Sequence, residues 1–160
     1  MAQLTVGNQI FNYPDPGEEA GWGEDATGWA EAVTAALSAL IASGDILPTS
    51  LVLQNNQSTA ADVTGLFFNA NTIRAANINY AVYRISNTTN PGLAESGLLM
   101  LDLNDTAPVG SKWTLIQIKN GDGGVAFSVT DGGQVQYTST DIGLTGYTGV
   151  INFSAKVLTK

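Results

Sequence analysis

Cysteine and histidine, the two residue types that carry most side-chain chemistry near neutral pH, are both missing from this 160-residue chain. Thiolate nucleophiles, disulfides, Cys/His zinc sites and histidine general bases are therefore excluded. What remains is carboxylate, tyrosine and lysine chemistry. The nearest approach to a metal-binding run is Asp102-Leu103-Asn104-Asp105, whose oxygen ligands are closely spaced. It lacks the further ligands and closing Glu of a calcium loop, so it reads as a polar turn after a strand and no metal is expected. The glycines at 121, 123 and 124 and at 143, 146 and 149 do not lie between a strand and a helix, as a phosphate cradle requires, and read as turns. Asp62, Glu95 and Asp141 could in principle meet as a glycosidase pair, but each looks like a loop or strand-edge residue. Trp113, in an alternating segment, reads as core rather than as a sugar-stacking platform. No catalytic residue and no cofactor follows, and the expectation is a non-enzymatic protein.

The elements available to position side chains change character along the chain. Residues 1–26 show no sustained period. They contain Tyr13-Pro14-Asp15-Pro16-Gly17 and then Gly21-Trp22-Gly23, which predicts an extended or turning arm. Phe11, Tyr13 and Trp22 are too many aromatics for a disordered tail, so the arm is expected to order against something. From about residue 25 to 43, Trp29, Val33, Ala36, Leu37, Leu40 and Ile41 recur at steps of three and four, predicting an amphipathic helix with Asp25 or Thr27 as N-cap. Ala30, Ala32, Ala35, Ala39 and Ala42 leave its far side small and apolar, the mark of a helix that is covered by something.

Past Pro48, eight segments read as strands: 50–54, 62–69, 73–86, 97–103, 113–119, 125–130, 134–138 and 150–158. In the last, Ile151, Phe153, Ala155 and Val157 alternate with Asn152, Ser154 and Lys156, the period of a strand with one buried face. The glycine-rich links at 120–124 and 131–133 predict a three-strand meander beginning at Trp113. The fold class is thus mainly β, an antiparallel β-sandwich or jelly-roll-like domain at 48–160, preceded over 1–47 by an extended arm and one α-helix.

Charge is segregated along the same lines. No basic residue precedes Arg74, whereas Asp15, Glu18, Glu19, Glu24, Asp25, Glu31, Asp45 and Asp62 do, so the whole net charge of −8 falls in the first 73 residues. Such a region repels nucleic acid and is steered to basic protein surfaces. Residues 1–6 lack the basic start and apolar run of a secretory signal. The longest largely apolar stretch, 35–42, is far short of the roughly 20 residues that span a bilayer, so neither nucleic-acid nor membrane partners are expected.

The stretch Phe11-Asn12-Tyr13-Pro14-Asp15-Pro16-Gly17-Glu18, continuing through Gly21-Trp22-Gly23-Glu24-Asp25-Ala26-Thr27-Gly28-Trp29-Ala30-Glu31-Ala32-Val33-Thr34, resembles the start of a group of tailed-bacteriophage virion structural proteins. So does Gly132-Gly133-Gln134-Val135-Gln136-Tyr137-Thr138-Ser139. The resemblance implies a virion protein assembled in the host cytoplasm and brings no catalytic residue with it. Group members are associated with both capsid decoration and tail appendages. The chain has no fibre-like repeat, and about 45 residues of arm and helix before a compact knob suit a decoration (cement) protein on the capsid surface. Phe11, Tyr13, Asp15, Glu18, Glu19 and Trp22 are then expected to contact the major capsid protein. Trp29, Val33, Leu37 and Leu40 would meet around the axis of a homotrimer. The alternatives are a tail fibre or baseplate appendage with a receptor- or glycan-binding sandwich, and a free carbohydrate-binding module or β-sandwich hydrolase.

Overall fold

The computed structural model describes residues 44–160 in full, the backbone of Ala2–Val6, Gln9–Tyr13 and Trp22–Ala42, and the side chains of residues 26–36. The chain divides into two compact units, residues 1–43 and 44–160.

In the first unit Ala2–Val6 (β1) and Gln9–Tyr13 (β2) form an antiparallel hairpin that pairs Leu4 with Phe11 and Ala2 with Tyr13. The expected extended or turning arm thus takes the form of a hairpin over these residues. The alternation of Ala2-Gln3-Leu4-Thr5-Val6 already has the two-residue period of a strand, and the aromatics of the next segment are good strand formers. The helix, α1, runs Trp22–Ala42 and so begins before both predicted N-caps. Asp25 and Thr27 lie inside it. Along the part of α1 whose side chains are described, Gly28, Ala32 and Val33 are half-buried, while Trp29 and the alanines at 30, 35 and 36 are exposed. No helix among the described residues is long and apolar enough to cross a membrane.

The second unit is an antiparallel β-sandwich. Its strands are Ile46–Val52 (β3), Ala61–Phe67 (β4), Ile73–Ile85 (β5), Leu93–Leu103 (β6), Trp113–Gly121 (β7), Val125–Val129 (β8), Gln134–Ser139 (β9) and Thr148–Thr159 (β10). One sheet has the order β3-β10-β5-β6-β7 and the other β4-β9-β8. Each predicted strand is present, several with earlier starts. The inward positions of the long central strands repeat every second residue: Ala76, Ile78, Tyr80 and Val82 on β5, Leu99, Leu101 and Leu103 on β6, Ile151, Phe153 and Ala155 on β10. They meet Val63 and Leu66 of β4, Val125 of β8, and Val135 and Tyr137 of β9 in one apolar core. The Tyr80 ring stands edge-on to Phe127 at 5.1 Å between centroids, joining the two sheets.

The predicted three-strand meander is corrected at its first joint. β7 belongs to the five-stranded sheet and β8 to the three-stranded one, so residues 122–124 cross between layers instead of closing a hairpin. Bonds to two buried ions, described below, hold that crossing. The second joint is a hairpin: Val129 pairs with Val135, and the Thr130 and Gly133 amides donate to the Gln134 and Thr130 carbonyls, both at 2.9 Å. Gly133 is obligatory there. Its φ is +93°, and a Cβ would stand 1.8 Å from the Phe68 carbonyl oxygen.

Candidate functional site

The feature that departs most from ordinary strand chemistry is the outward face of β3, β10 and β5. Asparagine is depleted in strands because its short amide competes for local backbone bonds. Yet Asn77, Asn79 and Asn152 sit on the interior strands β5 and β10, exposed. The register places Ser50, Asn152 and Ala81 in one row across three strands, and Ser154 beside Asn79 in the next. These residues, with Pro48 and Thr49, line a shallow groove of about 520 Å³ that contains no charged side chain. The Ser50 hydroxyl donates to the Asn152 side-chain oxygen. Two residues along β5 from Ala81, on the same face, lies Tyr83, paired with Val150, which in turn pairs with Val52. Tyr83 is 44 % and Val52 67 % exposed, so an aromatic and aliphatic row adjoins the groove on the same face. The groove is neutral and hydrogen-bonding.

Two buried ions lie behind the opposite, inward face, and both grip the crossing between the sheets. Glu95 is 3 % exposed, and its carboxylate is saturated. Oε1 accepts from the Tyr80 hydroxyl at 2.7 Å and the Gln117 amide at 2.9 Å, while Oε2 accepts from Lys119 Nζ and the Gly123 amide, both at 2.9 Å. Burial pushes the carboxyl's pKa up, but the Gly123, Tyr80 and Lys119 bonds outweigh it and hold it below the usual range. Burial and the neighbouring carboxylate drive Tyr80 up to about 12. A carboxylate with four donors has no lone pair left to take a substrate proton, so this cluster is a structural pin.

Arg84 has no exposed surface and, among the described residues, no carboxylate in salt-bridge contact; neutral oxygens take the place of water around its guanidinium. Nη1 donates to the Gly123 and Gly124 carbonyls at 3.0 and 2.9 Å and Nη2 to the Thr140 carbonyl at 2.5 Å, with further bonds to Asn55 and Tyr147. The Tyr147 ring lies 5.7 Å from the guanidinium carbon. Gly123 is thus held by its amide from Glu95 and by its carbonyl from Arg84. Its own Cβ position is blocked by Val82 at 2.8 Å.

Glu95 therefore corrects the reading of it as a loop or strand-edge residue. It shares parity with Leu99, Leu101 and Leu103 on β6, a signal lost when the strand is begun at residue 97. Asp62 accepts from Gln136 at 2.8 Å and Asp141 from Asn55 at 2.7 Å and the Gly143 amide at 2.8 Å, which holds the Asp141 carboxyl low. In the run 102–105, Asn104 accepts from the Thr106 amide and hydroxyl, and Asp105 pairs with Lys160 at 2.7 Å. Trp113 is buried, its indole donating to the Asp131 carbonyl at 3.2 Å. Of the predicted contact residues, Asp15, Glu18 and Glu19 lie outside the described residues, and Phe11, Tyr13, Trp22, Leu37 and Leu40 are described in backbone only, on β2 and α1. Trp29 is 44 % exposed on α1 and Val33 half-buried one turn on.

No protein-family model matches the chain. No curated protein matches it either. Among solved structures, the chain is similar to the tailspike protein of the Acinetobacter phage vB_ApiP_P1, at 9 % identity and a TM-score of 0.36 over 71 % of this chain. It is also similar to tailspike protein gp49 of the Acinetobacter baumannii bacteriophage Fri1, a capsular polysaccharide depolymerase, at 14 % identity and a TM-score of 0.35 over 69 % of this chain. The match takes in 20 % and 18 % of the two tailspike chains.

Proposed function

We propose that this chain is a structural protein of a tailed-phage virion, in which the N-terminal unit attaches to the particle and the β-sandwich is displayed from it as a tail appendage. The observation that carries the reading is the division of labour between the units. Residues 1–43 hold six acids and no base, while the sandwich holds nearly balanced charge and an uncharged groove on a sheet face. An acidic unit suits a basic docking surface, and a neutral groove on the other unit suits a ligand presented from outside. The likeness of residues 11–34 and 132–139 to virion structural proteins supports a place in the virion, on head or tail alike. The saturated Glu95 and the structurally engaged Asp62 and Asp141 support a binding role over a hydrolytic one.

A second reading is a homotrimeric capsid decoration protein held to the major capsid protein by Phe11, Tyr13, Asp15, Glu18, Glu19 and Trp22. It is favoured by the acidic N-terminal third and the absence of any fibre-like repeat. Copy number per virion separates the two. A few multiples of three or six place the protein on the tail; hundreds place it on the shell and overturn the appendage reading. In either case a chain lacking residues 1–26 keeps a folded sandwich and no longer sediments with particles. Full retention of binding by that chain refutes the attachment role.

A further inference from the structure

We infer that the groove over β3, β10 and β5 is a binding site for a neutral oligosaccharide, with Tyr83 as its stacking platform and Ser50, Asn79, Asn152 and Ser154 as its hydrogen-bonding floor. The inference deepens the appendage reading and rests on it for the glycan's source, a surface outside the particle. Three observations carry it. The first is residue choice: asparagines placed mid-strand on the interior strands β5 and β10 contradict local propensity, and such contradictions concentrate where side chains serve a ligand. The second is availability. Among the described residues the side chains of Asn79 and Ser154 make no hydrogen bond, and Asn152 is met only by the Ser50 hydroxyl. Amides and hydroxyls both donate and accept, which matches the mixed requirement of sugar hydroxyls.

The third observation is what the groove lacks. None of its lining residues is charged, so it offers nothing to a phosphate backbone or to an acidic or basic peptide. Lys156, farther along β10, is paired with Asp45 at 2.5 Å. Apolar surface adjoins the groove at the Tyr83, Val150 and Val52 end, where the C–H face of a pyranose can lie against the ring, and at Leu98 of β6, which pairs with Asn79. The small Ala81 between Tyr83 and Asn79 leaves the floor open. Ile116 and Ile118, exposed on β7, lie two strands away on the same sheet face and do not line the groove.

The test uses the purified full chain against immobilised maltohexaose, cellohexaose, mannohexaose and chitohexaose. Oligogalacturonate serves as the anionic probe and chitosan oligomers as the cationic one. At least one neutral probe binds. Tyr83→Ala weakens binding about fivefold, the loss expected of one stacked aromatic. The double change Asn79→Ala with Asn152→Ala weakens it by more than about tenfold, as two lost hydrogen-bonding groups require. Ile118→Ser leaves it unchanged. All four positions are on the outward face, so circular dichroism of each variant matches the parent. Binding of no neutral probe, binding of charged probes only, or binding indifferent to the groove changes overturns the inference. Loss of the inference with a tail copy number leaves the appendage reading standing, and glycan binding with a shell copy number removes that reading alone.

Discussion

Arg84 offers a quantitative test of how the sandwich is held together. Replacing it with methionine keeps most of the side chain's length and removes six hydrogen bonds to five residues. If each bond counted separately, the change would abolish folding. The structure argues for much less. The Gly124 carbonyl also accepts from the Thr140 amide at 2.9 Å, the Thr140 carbonyl from the Asn56 amide at 3.3 Å, and the Asn55 side-chain oxygen from the Ile142 amide at 3.0 Å. Among the described residues only the Gly123 carbonyl is left with no hydrogen bond, since the Tyr147 and Thr140 hydroxyls still donate to the Leu53 and Gly124 carbonyls. One orphaned buried acceptor costs about 1–3 kcal/mol, and the lost charge-assisted bonds are partly offset because a buried guanidinium no longer has to be desolvated. The expected loss is about 3 kcal/mol, read as a lowered midpoint at unchanged slope in urea unfolding followed by far-ultraviolet circular dichroism. Arg84→Lys is at least as damaging, because it keeps the buried charge with fewer donors and no planar fork. A loss for Arg84→Met below about 1 kcal/mol, or a lysine variant clearly more stable than the methionine one, refutes the account.

Tyr80 ionises near 12 in the folded chain against 10.0 unfolded, so its contribution is complete below pH 10 and is lost as pH rises from 10 to 12; up to about 3 kcal/mol should disappear over that window in alkaline unfolding. Tyr80→Phe should flatten that part of the profile. Glu95 has a lowered folded pKa, so its contribution is present above the ordinary 4.5 and fades as pH falls below it; Glu95→Gln should be less stable at neutral pH and show a shallower acid limb. Gly133→Ala should cost about 3 kcal/mol or more, because positive φ and a clash with the Phe68 carbonyl act together; a near-neutral result in thermal melts would mean the 131–133 turn is not built as described.

Strand existence was legible because inward positions on β5, β6 and β10 are apolar at every second residue, and that pattern survives without tertiary context. Sheet membership was not. Nothing in Asn120-Gly121-Asp122-Gly123-Gly124 distinguishes a hairpin from a crossing, since the decision is made by Glu95 and Arg84, 28 and 39 residues upstream of Gly123. The hairpin at the start was obscured by the prolines that follow it, although the alternation in β1 was present. The candidate groove escaped notice for a related reason. Asn79 and Asn152 are 73 positions apart in sequence, and they become neighbours only when β10 pairs with β5.

That pairing also sets the order in which the sandwich can be made. β10 lies between β3 and β5, pairing with β5 along its whole length and with β3 over Val150–Ala155, so the five-stranded sheet has a gap between β3 and β5 until Thr148–Thr159 arrives. A nascent chain that has released only the first seven sandwich strands presents two unpaired strand edges and one open side of the core. Its partial fold is exposed to association with neighbouring chains rather than to stepwise completion. Assembly therefore waits on the last strand, and the closing step brings together residues distant in sequence, which makes it slow for a domain of this size.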